Sequence, residues 1–244
     1  NAEKHDLSSV RIFTGGGESL TAQTYHDWKN KFGLEIFEGL GTTEMMFVFI
    51  SSAATKKVKP GSIGPAIPGY ELKVINQETH EESKRGETGM LMGQGPTGTV
   101  YWRDNEKQKG SVIGGWVKAG DMVSMDEDGY IWFLSREDDL IKSSGYRIGP
   151  EEIEDVLVSH PAVADAGIIG VPDPIMGQKT RAYVALKPGT AESEAVKTEL
   201  IEFCRGKVAV YKLPREVVFV PEMPRTITGK LLRRVLRERA TKGG

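Results

Sequence analysis

Residues 14–19, TGGGES, place three glycines between an apolar run and a helix-like stretch. Backbone amides without side chains at such a place can hold an anion or lie flat against a planar base. An ordinary connecting loop is the competing reading. Residues 38–44, EGLGTTE, repeat the theme. Thr42 and Thr43 offer hydroxyls, and Glu44 a carboxylate able to hold a magnesium ion against phosphates. A helix N-terminus capped by threonine explains the same residues without a ligand. In VKAGD, 117–121, Asp121 follows glycine at an expected strand end, where a carboxylate can accept both hydroxyls of a ribose. A β-turn aspartate is the alternative. In PRTITGKLLRR, 224–234, Lys230 follows a Thr-Gly pair, so its ammonium can reach outward toward charge developing on a phosphoryl group. A solvated lysine opening a basic helix would look the same.

Between the third and fourth segments lies SREDDLIKSSGYRIGPEEIE, 135–154. Asp138 and Asp139 abut Leu140 and Ile141, too apolar a setting for an acidic tail. A solvated hairpin, a metal site and a hinge between two moving bodies all remain open on these residues alone. The four histidines are scattered without metal-ligand spacing.

The elements that must carry these residues change character along the chain. The first 60 residues alternate strand (10–13), helix (21–31) and strand (35–37), a βαβ-type layer. Short β-like runs follow at 71–75, 90–92, 116–118 and 130–134, with DEDG before Tyr130 as a hairpin turn, suggesting a small barrel or sandwich. Beyond Asp138 comes an α+β unit. In it 139–141 and 146–148 flank a Ser-Ser-Gly turn, and Pro150 opens a helix with Ile153, Val156 and Leu157 on one face. Strands at 163–171, 181–186 and 217–220 alternate with a helix lined by Val196, Leu200, Phe203 and Cys204, and a basic helix at 231–239 closes the pattern. Glycine, 29 of 244 residues, is well above the usual proportion of about 7% and comes in clusters between strands. A net charge of −2 argues against non-specific nucleic-acid binding. One cysteine, Cys204, excludes an internal disulfide and makes a reducing, cytoplasmic setting the default. The longest apolar run, MMFVFI, is far below the roughly 20 residues of a membrane span, and the N-terminus lacks a signal-peptide core.

Taken together and in this order, the segments resemble the adenylate-forming superfamily of acyl-CoA synthetases, peptide-synthetase adenylation domains and firefly-type luciferases. The likeness runs from DLSSVRIFTGGGESL to PRTITGKLLRR, and SSGYRIGPEEIE and YKLPREVVFV are most similar to the medium-chain acyl-CoA and aryl-CoA ligase branch. The resemblance implies the C-terminal portion of the large domain, an α/β layer (1–60) and a small β-barrel (61–137), followed by a compact mobile α+β domain (138–244). It implies ATP, magnesium and CoA as substrates and activating ion, with no tightly bound cofactor. A carboxylic acid would first become an acyl-adenylate, and a thiol would then displace AMP. Gly17, Glu18 and Ser19 would border the adenine, and Glu38, Gly39, Leu40, Gly41, Thr42 and Thr43 would wrap the nucleotide. Thr43, Glu44 (with magnesium) and Lys230 would act on the phosphates, Asp121 and Arg136 on the ribose. Asp138 would be the hinge, and Ser144, Gly145, Tyr146, Arg147 and, less closely matched, Arg205 would meet CoA.

Three positions depart from the family pattern: Ser135 replaces glycine before Arg136, Ala119 replaces threonine before Gly-Asp, and Leu40 replaces an aromatic residue. No segment resembles the family's Ser/Thr/Gly-rich phosphate loop. The expectation is therefore a C-terminal part whose partner is the missing N-terminal half, unable to form adenylate alone. A carrier-protein adenylation domain and a non-catalytic nucleotide- or CoA-binding module are the alternatives.

Overall fold

The expected strand–helix–strand opening is β1 (Phe13–Gly15), α1 (Ala22–Phe32) and β2 (Ile36–Gly41) in the computed structural model, which describes residues 4–227 and 229–242. Thr21 caps α1 by accepting from the Thr24 amide, and Gly33 ends it with φ of 67°. β1 and β2 pair in parallel, with Gly15 opposite Glu38. β2 is longer than expected. Gly39, Leu40 and Gly41, beyond the expected strand end at 37, continue the strand because β3 (Val48–Ser51) pairs with it antiparallel, Leu40 opposite Ile50.

Next come β4 (Glu71–Ile75), β5 (Thr88–Gln94), the short helix α2 (Asn105–Ser111), β6 (Val112–Ile113), β7 (Trp116–Met125) and β8 (Ile131–Arg136). They form a five-stranded sheet in the order β4-β5-β7-β6, with β8 also on β7. Phe49, Ile50, Leu91, Val123 and Ile131 pack into one buried cluster beneath it.

The chain divides into two compact units, one ending at Phe133 and the other starting at Leu134. The second holds β9 (Ile141–Ser143), β10 (Tyr146–Ile148), α3 (Pro150–Val158), β11 (Val163–Asp173), β12 (Gly177–Leu186), α4 (Glu194–Cys204), β13 (Glu216–Phe219) and α5 (Arg233–Lys242). Its sheet runs β10-β9-β12-β11, with β13 parallel to β12. Residues alternate across this sheet with the two-residue period of a strand. Ala182 and Val184 face a core shared with Ile153 and Leu157 of α3 and Leu200 of α4. Tyr183 and Ala185 face the opposite layer, which includes Leu236 of α5. Helices thus cover both faces. Gly167 leaves room for the α5 layer, since a Cβ there would lie 2.9 Å from Leu236 Cδ1. Among the described residues no helix is long and apolar enough to cross a membrane.

Candidate functional site

In the first unit the TGGGES loop lies against β2. A Cβ on Gly16 would come within 3.2 Å of the Gly39 carbonyl oxygen, so the missing side chain of Gly16 lets the loop approach the β2 backbone closely. Gly17, at φ of 92°, Glu18 and Ser19 are exposed above them. Glu38 points the other way. Its side chain is buried, and Oε1 accepts from the Leu20 amide at 2.9 Å, pinning the end of the loop to β2. Burial pushes its carboxyl up to about 7, only partly opposed by the Leu20 hydrogen bond. Its backbone is fixed by Ser52 Oγ, which accepts from the Glu38 amide at 3.0 Å, and by Ser51, which donates to its carbonyl at 2.8 Å. Leu40 packs against the buried cluster of the unit. Glu38 and Leu40 thus support this region from beneath with their side chains.

Thr42 and Thr43 form a turn instead of capping a helix. Thr42 Oγ1 accepts from the Met45 amide at 3.2 Å, and Met46 takes φ of 60°. The loop at 97–101 holds this turn in place. Thr97 donates to the Met45 carbonyl at 2.5 Å, Thr99 Oγ1 to the Thr43 carbonyl, and the Thr99 amide to the Glu44 carbonyl at 2.9 Å. Tyr101 donates its hydroxyl to Glu44 Oε1 at 3.0 Å, which fixes the carboxylate. Beside the turn opens a cleft of about 620 Å³ lined by Gly41, Thr42, Thr43, Met46, Phe47, Val48 and Thr99. Nothing in the motif pointed to Tyr101 or Thr99, which lie more than 50 residues from their partners. Glu44 is the single carboxylate here, and no group of three His, Cys, Asp or Glu gathers among the described residues. One half-buried carboxylate fits a magnesium ion that takes its remaining oxygens from phosphates and water.

Asp121 sits in the middle of β7, not at a strand end. Met90 faces Met122 but Met92 faces Lys118, so β7 slips by two residues around Gly120, whose φ is 77°. Such a bulge re-aims the side chains beside it and is common next to active sites. Asp121 itself is buried. Arg136, at the start of the second unit, leads into the short turn Glu137–Asp139 that contains Asp138.

In the second unit β9 and β10 form the expected hairpin, with Tyr146 opposite Ser143. Ser144 and Gly145 both have positive φ, 48° and 82°, as a two-residue hairpin turn demands. A Cβ on Gly145 would meet nothing within 4 Å, so its backbone is open to approach. Tyr146 stacks on Tyr211, ring centroids 4.1 Å apart and planes 13° from parallel. Half-buried Arg147 follows on the hairpin. Arg205, at the end of α4, is held by Glu202 through Nε and a terminal nitrogen at 2.7 and 2.9 Å. Lys230 is exposed on a small hairpin closed by Arg225 pairing with Leu231. Thr228 of this motif lies outside the described residues.

This division of glycine loops and lysine hairpin between two units is matched by two family models. Residues 1–102 match the AMP-binding enzyme model, and residues 152–230 the AMP-binding enzyme C-terminal domain. The chain belongs to the adenylate-forming superfamily. It is 35% identical over 242 residues to the mouse mitochondrial acyl-coenzyme A synthetase ACSM3, covering 96% of this chain and 42% of the relative. It is 36% identical over 229 residues to benzoate–CoA ligase of Thauera aromatica, covering 93% and 43%. Among solved structures, an anthranilate CoA ligase in complex with anthranoyl-AMP superposes with a TM-score of 0.85 at 38% identity, over 97% of this chain and 46% of that one. ATP-bound MatB from Rhodopseudomonas palustris gives 0.85 at 34% identity, over 94% and 45%. The chain therefore spans less than half the length of these members of the superfamily.

Proposed function

We propose that this chain is part of an AMP-forming acid–CoA ligase, working with a preceding segment that supplies the phosphate loop and most of the acyl site. The observation that carries the reading is how the candidate segments are distributed between the two units. The loops at 17–19 and 38–44 and the bulged Asp121 belong to one unit, Lys230 and the 144–147 hairpin to the other. Asp138, just inside the second unit, is the proposed hinge, and the domain boundaries proposed from sequence (60/61 and 137/138) go with it.

In the first half-reaction a carboxylate oxygen attacks the α-phosphorus of ATP, forming an acyl-adenylate and releasing pyrophosphate. Thr43 binds the α-phosphate, and Lys230 stabilises the negative charge that builds there, an interaction strongest in the transition state. Magnesium would neutralise phosphate charge, held by Glu44, whose orientation Tyr101 fixes. Asp121 and Arg136 hold the ribose, and the backbone of Gly17–Ser19 and Gly39–Thr42 borders adenine. In the second half-reaction the CoA sulfur attacks the acyl carbonyl and AMP leaves. The open backbone at Gly145 lets pantetheine pass, with Ser144, Tyr146, Arg147 and Arg205 as CoA contacts.

The apolar Met46, Phe47 and Val48 beside the cleft favour an apolar acid, medium-chain or aromatic. The single buried cysteine supports a reducing, cytoplasmic setting. Pyrophosphate release by the full-length protein, screened against short, medium-chain and aromatic acids with and without CoA, tests this reading. Acid-dependent release with AMP and a thioester supports it. Release without a thioester until a carrier protein is added would replace CoA as acceptor, and AMP binding without release would make the protein a binding module.

A further inference from the structure

The hairpin that carries Lys230 has little packing of its own, yet it is tied down at both ends. Its two arms meet through the Thr226 amide and the Lys230 carbonyl at 2.8 Å, and Thr226 Oγ1 accepts from the Lys230 amide at 3.0 Å. At the entry, Arg225 reaches across to Asp165 on β11. Its Nε and a terminal nitrogen contact the two carboxylate oxygens at 2.8 and 2.7 Å, and its other terminal nitrogen donates to the Gly229 carbonyl at 2.6 Å. One guanidinium therefore connects the central sheet to the residue immediately before Lys230.

At the exit, Arg233 is buried and contacts Glu154 of α3 at 2.5 and 3.2 Å and Asp139 at 3.3 Å. Burial opposes the guanidinium charge, but Glu154 and Asp139 outweigh it and raise its pKa. Arg237 adds contacts to Asp139 and, at 2.9 Å, to the Asp138 carbonyl. The exit arm thus joins the lysine hairpin to the residues beside the proposed hinge.

We propose that Arg225, oriented by Asp165, is a positioning residue for Lys230. This rests on the reading of Lys230 as the group that stabilises the α-phosphate during adenylation. The pair is partly exposed, with side-chain exposures of 38% and 26%, so its contribution to stability is small. Its contact with the Gly229 carbonyl instead fixes where the next residue's backbone lies. A misplacement of about 1 Å at a reacting group can cost on the order of 100-fold in rate.

The test is made in the full-length protein that contains this chain, with Arg225→Gln, Asp165→Asn and, as reference, Lys230→Ala. Arg225→Gln and Asp165→Asn should each lower kcat for pyrophosphate release about 10- to 100-fold with KM for ATP and the melting temperature unchanged. Thioester formation from supplied acyl-adenylate should stay at the unmutated rate. Wild-type adenylation in Arg225→Gln, while Lys230→Ala abolishes it, overturns the positioning role and leaves the reading of Lys230 standing. Equal losses in both half-reactions also overturn it, since a generally disturbed domain would slow both. Full adenylation by Lys230→Ala overturns the underlying reading and this inference with it.

Discussion

Glu38 should make the first unit lose stability as pH rises, and Glu38→Gln should remove that loss. The carboxyl is buried, and its pKa moves from 4.5 to about 7 with only the Leu20 amide to favour the charged form. Below pH 4.5 both folded and unfolded forms carry the proton, and the group contributes nothing to pH dependence. Between 4.5 and about 7 the unfolded chain has released its proton and the folded unit keeps it, so the unfolded state binds fewer protons and stability falls with pH. At about 1.4 kcal/mol per unit the total loss is on the order of 3 kcal/mol. Above pH 7 the difference levels off. Glutamine keeps an oxygen for the Leu20 amide and has no charge to bury. Its advantage over the wild type should therefore grow through this window and then hold constant. All four tryptophans, Trp28, Trp102, Trp116 and Trp132, belong to the first unit, so urea unfolding followed by their fluorescence reads that unit alone. A difference between the two proteins that does not change from pH 4.5 to 8 would refute the reasoning.

Two further perturbations separate the units. Gly64→Ala places a Cβ 2.2 Å from the Ser52 amide nitrogen, 2.4 Å from the Ser51 carbonyl carbon and 2.6 Å from Ser52 Cα at a φ of 118°, and all three are backbone atoms. It should cost more than about 4 kcal/mol and abolish the tryptophan transition of the first unit, whereas a cost below about 1 kcal/mol would contradict the packing. Cys204 is buried and its thiol is pushed up to about 11 by burial. It should resist a thiol reagent at neutral pH until the second unit opens in urea, including in the Gly64→Ala protein. Prompt labelling of the native chain would show that α4 does not protect it.

Much of the second unit was legible because its residues obey simple periods. Ile153, Val156 and Leu157 marked α3, Pro150 marked its start, and the expected 217–220 strand is β13 shifted by one residue. The first unit was harder for physical reasons. The expected strand stops at 37 because the glycines at 39 and 41 weaken a strand on their own; pairing with β3 overrides that preference. The bulge that turns Asp121 arises from a register slip between β5 and β7, which no local pattern encodes. The family resemblance carried by the motifs singled out Thr43, Glu44 and Lys230 as candidates. It could not name their supports, since Tyr101 and Asp165 meet Glu44 and Arg225 across 57 and 60 residues. Nor did it show that Glu38 faces inward, because strand parity depends on which neighbour β2 acquires.

The most direct test of the two-unit account measures both half-reactions in the full-length protein carrying Lys230→Ala or Gly145→Leu. Leucine at Gly145 projects into open space, with a backbone cost of roughly 1–2 kcal/mol from the positive φ. The account predicts reciprocal defects. Lys230→Ala should lose acid-dependent pyrophosphate release yet still convert supplied acyl-adenylate and CoA to thioester, and Gly145→Leu should do the reverse. If each variant slowed both steps alike, the assignment of one half-reaction to the lysine hairpin and the other to the 144–147 hairpin would be wrong.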